Sequence, residues 1–183
     1  MVITIINGNQ EAENVDFDNW INALVLQLSS SHRVYHIQLR IMDIKYCTGC
    51  FCCWQKTPGK CLQKDDMEEV YKYYMQSDLV LYASPIIMGF TSSLLKTCND
   101  RMIALIHPYA EISEGKLKHM KRYESYPKLG LLLQNDIDTD EEDIQIINDI
   151  YSRIASSFSS QFVYSKVINE NLLGIVADEV SNL

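Results

Sequence analysis

Short β-branched runs alternate along this chain with longer amphipathic stretches, and that alternation is the sequence form of βαβ units wound around a parallel sheet. Five strands can be placed by it. Val2 to Ile6 is an apolar first strand, and Arg33 to Leu39 alternates through Val34, Ile37 and Leu39. Leu79 to Ala83 is almost wholly apolar, as expected of a strand buried on both faces. Lys128 to Leu133 and Phe162 to Ile168 complete the set. Between them, Phe17 to Ser30 repeats Phe17, Trp20, Ile21, Leu24 and Leu28 at helical spacing, with Asp16 as the expected N-cap. Asp65-x-x-Glu68 and Asp66-x-x-Glu69 read as capping boxes opening a helix through Val70 and Tyr74. Thr91 to Ile106 is helical after a break at Pro85 and Gly89, and Asp138 to Glu142 opens a helix carrying Ile144, Ile147, Ile150, Ile154 and Phe158. Residues 107 to 127 read as a long irregular connection, either a lid or a subunit contact. Asn169 to Leu183 has room for one short helix.

At 183 residues the chain suits one domain, 1–183, with a single core. Its formal charge of −8 opposes binding to nucleic acid or an anionic membrane, since both need a positive field. No stretch approaches the roughly 18 apolar residues of a membrane span. Met1 to Gly8 reads as a strand and not as a signal peptide, so a cytoplasmic location is expected. In such a reducing compartment clustered thiols bind metal or do redox chemistry more often than they form structural disulfides.

The cysteines cluster indeed. Cys47, Cys50, Cys53 and Cys61 follow C-x2-C-x2-C-x7-C, with Cys52 inside the same loop. Four soft thiolates at this spacing can converge on an iron-sulfur cluster. Zinc could take the same ligands, although structural zinc sites more often use two separated pairs. Free or redox-active thiols are the third reading. Adjacent Cys52 and Cys53 are poor disulfide partners, because vicinal bridges are strained. Cys98 falls on the apolar side of a helix and belongs to the core.

In an open α/β sheet the ligand lies outside the carboxyl ends of the strands. Three loops would meet there, at 7–16, 84–90 and 134–139. In the second, Pro85 stiffens the chain and Gly89 allows close backbone approach, so the groups of Ile86 to Met88 can face the edge of a flat ring.

Cys47-Thr-Gly-Cys50-x-x-Cys53-Trp54, Pro58-Gly-Lys-Cys61 with Asp65-Asp66-Met67, Ser84-Pro-Ile with Gly89, Leu95-Lys96-x-x-x-Asp100-Arg101 and His119-x-x-Arg122-Tyr123 stand in this order. Together they resemble the flavodoxin-like NAD(P)H-dependent FMN reductases, including the iron-sulfur flavoproteins. The resemblance implies a three-layer sandwich with a five-stranded parallel sheet in order 2-1-3-4-5. It implies FMN as cofactor, NAD(P)H as electron donor, and a quinone, free flavin or other small molecule as acceptor. By the same likeness Ser84, Pro85, Ile86, Ile87, Met88 and Gly89 would lie beside the flavin ring. Asn9 and Gln10 would lie at its phosphate, with Gln134 in the third loop. Where relatives resemble Gly-Ser-x-Arg, this chain has Asn7-Gly-Asn-Gln-Glu, and Glu11, Glu13 and Asp16 bring like charge toward a phosphate. Two other readings follow: an electron carrier with a 4Fe-4S cluster at Cys47, Cys50, Cys53 and Cys61, or a non-enzymatic descendant that has lost FMN. A homodimer or homotetramer is expected, and no side chain is assigned a catalytic role, since the flavin would do the chemistry.

Overall fold

The computed structural model describes residues 1–113 and 115–183. In chain order the elements are β1 (Val2–Asn7), α1 (Val15–Leu28), β2 (Arg33–Gln38), a one-turn α2 (Cys52–Gln55), α3 (Met67–Gln76), β3 (Leu79–Ile87), β4 (Phe90–Thr91), α4 (Ser93–Arg101), β5 (Ile106–Ser113), β6 (Lys116–Lys121), β7 (Lys128–Gln134), α5 (Glu141–Ser157), β8 (Phe162–Val167) and α6 (Leu173–Ser181). The main sheet runs β2-β1-β3-β7-β8, every pair parallel. Counting only those five strands in chain order, this is the expected 2-1-3-4-5 arrangement.

Period-two alternation divides the core between the two faces of the sheet. Ile3, Ile5, Leu79, Leu81 and Leu132 pack with Phe17, Ile21 and Leu24 of α1 and Val176 and Val180 of α6. Ile6, Val80, Tyr82, Leu131 and Leu133 face the other way, onto α3, α4 and α5 through Val70, Tyr74, Leu95, Cys98 and Ile147. Every one of these side chains is fully or almost fully buried. Burying each large aliphatic one contributes about 1.5–3 kcal/mol. Cys98 is a core residue, as its helical position implies, and burial pushes its thiol up to about 12.

Several local expectations change. The N-cap of α1 is Asn14 and not Asp16: the Asn14 carboxamide accepts the Phe17 N–H, so the helix opens at Val15. Asp66 caps α3 without a side-chain hydrogen bond. Asp65 instead takes the Met67 N–H and is claimed by Arg101. Pro85 does not break β3. It pairs in register with Gln134, where no N–H is needed, and the strand continues to Ile87 before turning into β4. That turn is Met88-Gly89, with φ of 51° and 74°, both left-handed as a two-residue hairpin turn demands. The helix expected over 91–106 is α4, capped by Ser92, followed by a 3-10 turn at Met102–Leu105. The stretch 107–127 is not irregular: apart from Glu114, which lies outside the described residues, most of it is the antiparallel β5–β6 hairpin.

Candidate functional site

The carboxyl ends of β1, β3 and β7 bring the three expected loops together. Gly8 donates to the Ala83 carbonyl, and Ser92 at the head of α4 donates to the Gly8 carbonyl. Ser93 donates to Gln10, and Asn14 donates to Gln134 at the end of β7. A Cβ on Gly8 would sit 2.9 Å from both Leu95 and the Ser92 hydroxyl, so the loop after β1 lies flush on α4.

Asn9 is buried, and its side chain bridges the loop from Glu11 N–H to the Asn14 carbonyl. Its own N–H goes to the Asn7 carboxamide. Asn7 in turn donates to Asp18. The Ser84 hydroxyl is buried and consumed locally, donating to the Pro85 carbonyl and accepting the Ser92 N–H. Pro85 and Ile86 are buried, Ile87 is half-buried, and Met88 is 96% exposed at the turn. Ile137, in the loop after β7, is 93% exposed. Two large apolar side chains thus stand free at the sheet's carboxyl edge. Gly89 lies so near α5 that a Cβ would fall 2.6 Å from Asp143, the residue that closes the α5 capping box.

Arg40 was not anticipated from the sequence. Just beyond β2, its guanidinium donates to the carbonyls of Asn9 and Glu11 and pairs with Asp18 at 2.8 Å. Burial alone would raise the Asp18 carboxyl, but hydrogen bonds from Arg40, Asn7 and Asn9 hold it below the usual carboxylate range. The only sequence hint is position, since a basic residue directly after the second strand falls at the ligand edge. A cation therefore stands behind the acidic loop.

The loop fits an anion through its backbone. Amides of Asn9, Glu11, Asn14 and Val15 are satisfied internally, while those of Gln10, Ala12 and Glu13 have no hydrogen-bond partner among the described residues. They precede the N-terminus of the 14-residue α1, where free N–H groups and the helix dipole both favour negative charge. Glu11, Glu13 and Asp16 are exposed and can turn toward water.

The cysteine loop is built differently. Its two ends are tied down: Asp43 and Lys45 donate backbone N–H groups to Asp66 and Asp65. The Arg101 guanidinium, 1% exposed, grips both oxygens of Asp65 at 2.8 and 3.0 Å and also donates to the Lys45 carbonyl. Desolvation works against the Asp65 charge, yet Arg101 and the Lys45 and Met67 amides bring the carboxyl below its ordinary range. Tyr71 donates to the Arg101 carbonyl, and the Trp54 indole donates to the Ile103 and Ile106 carbonyls. The Asp65–Arg101 pair thus joins two sequence motifs that lie 36 residues apart.

Cys47, Cys50, Cys53 and Cys61 line one cavity of about 20 Å³. That is room for about one water, and a four-iron cluster does not fit the thiols as they stand. Among the described residues, no three His, Cys, Asp or Glu side chains close on a common metal position. Burial and the neighbouring thiols raise the Cys53 thiol, whereas the Cys50 thiol is lowered by hydrogen bonds from Cys52 and Thr48. His119, part of the motif His119-x-x-Arg122-Tyr123, packs tilted against Trp54 with ring centroids 5.6 Å apart and bonds the His107 carbonyl.

Comparison with known proteins adds the following. The family model described as NADPH-dependent FMN reductase matches residues 1–118. The chain is 37% identical over 79 residues to an iron-sulfur flavoprotein of Archaeoglobus fulgidus, covering 43% of this chain and 35% of that protein. It is 35% identical over 74 residues to an iron-sulfur flavoprotein of Methanocaldococcus jannaschii, covering 40% of this chain and 37% of that protein. The matched stretch thus spans little more than a third of the length of these curated relatives. Among solved structures, an azoreductase from Bacillus anthracis superposes with a TM-score of 0.68 at 12% identity, covering 100% of this chain and 97% of that one. An FMN-dependent NADH-azoreductase of the same species, solved in complex with FMN, gives 0.65 at 11% identity, covering 99% and 98%. At such identities the superpositions establish the shared fold.

Proposed function

The chain belongs to the NADPH-dependent FMN reductase family, and from that premise we propose that it binds FMN at the carboxyl edge of its sheet and passes electrons from NAD(P)H to a small acceptor such as a quinone. The observation that carries this reading is the loop after β1: its unbonded amides stand at the head of α1, with Arg40 behind them. FMN, when bound, supplies a ring that accepts hydride and releases electrons singly or in pairs.

The chain's own part is to hold and shield. Gln10, Ala12 and Glu13 would offer N–H groups to the phosphate, replacing the hydroxyls that this loop lacks. Arg40 bonds the Asn9 and Glu11 carbonyls and pairs with Asp18, locking the loop in place. The Asn14–Gln134 hydrogen bond fixes the spacing between the first and third loops. Ile87, Met88 and Ile137 supply apolar surface at the edge where a flat ring would exclude water, and Gly89 lets the hairpin turn stand against α5. No side chain near this edge needs to act as general acid or base.

The exposed cross-strand pair Ile112 and Leu117, 80% and 76% accessible, supports an oligomer built through the β5–β6 hairpin. Light scattering tests that directly, and a 21.1 kDa species would refute it. Among the described residues no helix is long and apolar enough to cross a membrane.

The activity is tested by reconstituting the chain with FMN and adding NADPH without oxygen. Bleaching of the oxidised-flavin absorbance, reversed by a quinone, is expected. A bound flavin that NADPH leaves oxidised would contradict the proposal.

A further inference from the structure

Four carboxamides, those of Asn7, Asn9, Asn14 and Gln134, meet where the loop after β1 reaches the carboxyl end of β7, and the backbone fixes which end of each is oxygen. A main-chain N–H can only donate. The Asn14 atom that receives the Phe17 N–H is therefore its oxygen, and the Asn14 nitrogen is the atom that lies 2.7 Å from Gln134. That nitrogen also can only donate, so the Gln134 atom facing it is Oε1. Gln134 Nε2, with two N–H groups, is left on the other side of its carboxamide.

The other three carboxamides are engaged at both ends. Asn7 accepts the Asn9 N–H and donates to Asp18. Asn9 accepts the Glu11 N–H and donates to the Asn14 carbonyl, and Asn14 is spent on Phe17 and Gln134. Arg40 is taken up by the Asn9 and Glu11 carbonyls and by Asp18. By contrast, Gln134 Nε2 has no hydrogen-bond partner among the described residues and is not sealed from solvent.

The sheet sets the place of this open donor. Gln134 ends β7, level with Pro85 of β3, and is half-buried. Asn14 caps α1, so the bond between the two holds the Gln134 amide beside the head of that helix, next to the open N–H groups of Ala12 and Glu13. A neutral donor suits so acidic a loop. A lysine in this position would be drawn into ion pairs with Glu11 or Glu13, as Arg40 is with Asp18, whereas the weaker pull on a carboxamide leaves its N–H groups for a ligand.

We propose that Gln134 Nε2 donates to the cofactor phosphate, supplying from the third loop the side-chain hydrogen bond that the first loop, without hydroxyls, does not, and so selects FMN over flavin that lacks a phosphate. This rests on the reading that FMN binds at this edge. Within it, Gln134 gains a recognition role beyond its tie to Asn14.

The test is Gln134→Glu in the full chain. The replacement is isosteric, and one carboxylate oxygen still accepts from Asn14, so the tie between the loops survives while the other oxygen stands where the donor was. FMN and riboflavin are titrated against parent and variant by flavin fluorescence, in about 0.15 M and about 1 M salt. The variant should bind FMN at least about tenfold more weakly than the parent at both salt concentrations. Its riboflavin affinity should stay within about twofold of the parent's, which also shows that it folds. High salt separates a lost contact from repulsion at a distance, because it shortens the screening length to about 3 Å. The inference is overturned if the variant holds FMN as tightly as the parent, if both flavins weaken equally, or if the FMN deficit disappears at high salt. A parent that binds neither flavin overturns the cofactor reading and this inference with it, whereas a parent that binds FMN no better than its variant does overturns this inference alone.

Discussion

The loop after β1 and the cysteine loop both hang from strand ends of one sheet, and they are held by opposite means. In the first, polar side chains turn inward: Asn7, Asn9, Asn14, Asp18 and Arg40 bond one another or the backbone, and Asn7 and Asn9 are buried. In the second, the two ends are clamped by Asp65, Asp66 and Arg101, while Cys47 to Phe51 between them are exposed. The first loop is a preshaped cradle with a few free amides. The second is an anchored arc with accessible sulfur. A binding site needs the former, because preorganisation lowers the cost of capturing a ligand, whereas thiol chemistry needs the access of the latter.

The anchor is the sharpest point at which to break this contrast. Asp65→Ala leaves the Arg101 guanidinium buried without its carboxylate, and removing one partner of such a pair typically costs about 3–5 kcal/mol. Chemical denaturation should show a loss of that size, and trypsin should cut the freed loop at Lys56 or Lys60 faster than in the parent. A loss under about 0.5 kcal/mol, the scale of an ordinary surface substitution, would mean that the clamp does not hold the loop.

A milder cut falls on the cradle. Arg40 is partly exposed, so Arg40→Ala should reduce stability by only about 1 kcal/mol. Its larger consequence should be on affinity, with FMN binding about tenfold weaker as the acidic loop loses its cation. Isothermal calorimetry on the variant separates the two effects.

Accessibility itself can be read by timed alkylation of the metal-free, reduced chain. Cys47 and Cys50 should label first, Cys52, Cys53 and Cys61 later, and Cys98 only on unfolding, since it is buried and its thiol is pushed up to about 12. Early labelling of Cys98 would contradict the core described above.

The smallest effect is expected at His36 on β2. Burial depresses its pKa below the ordinary 6.5, with Asp18 partly opposing the shift. The folded protein therefore binds this proton less readily than the unfolded chain. Its contribution to stability is complete above pH 6.5 and is lost as the pH falls through the window below that value. His36→Gln should flatten the stability profile there, and an unchanged profile would remove the assignment.

The strands and helices were legible because alternation and helical spacing act over many residues at once, whereas the sheet order came from the family resemblance. Leu79 to Leu81 and Ile144 to Ile154 announce their faces without any partner. What escaped was set by single contacts between distant segments. Nothing near Arg40 says that it will reach Asn9, and nothing near Asp65 favours Arg101 over a capping role. The β5–β6 hairpin was missed for another reason: His107-Pro108-Tyr109 and the run of lysines disguise a strand whose apolar residues, Ile112 and Leu117, face water. The three loops of the candidate site were correctly brought to one edge, but the Ser84 hydroxyl proved to tie its own turn together.

The central claim is that the loop after β1 still holds a phosphate although it lacks the usual hydroxyls. Parallel titrations of the purified chain with FMN and with riboflavin, followed by flavin fluorescence, test it most directly. The structure predicts saturable binding of FMN and affinity at least about tenfold weaker for riboflavin, the share expected of one or two charged hydrogen bonds. Equal affinity for the two flavins, or no saturable binding of FMN at micromolar protein, would contradict it.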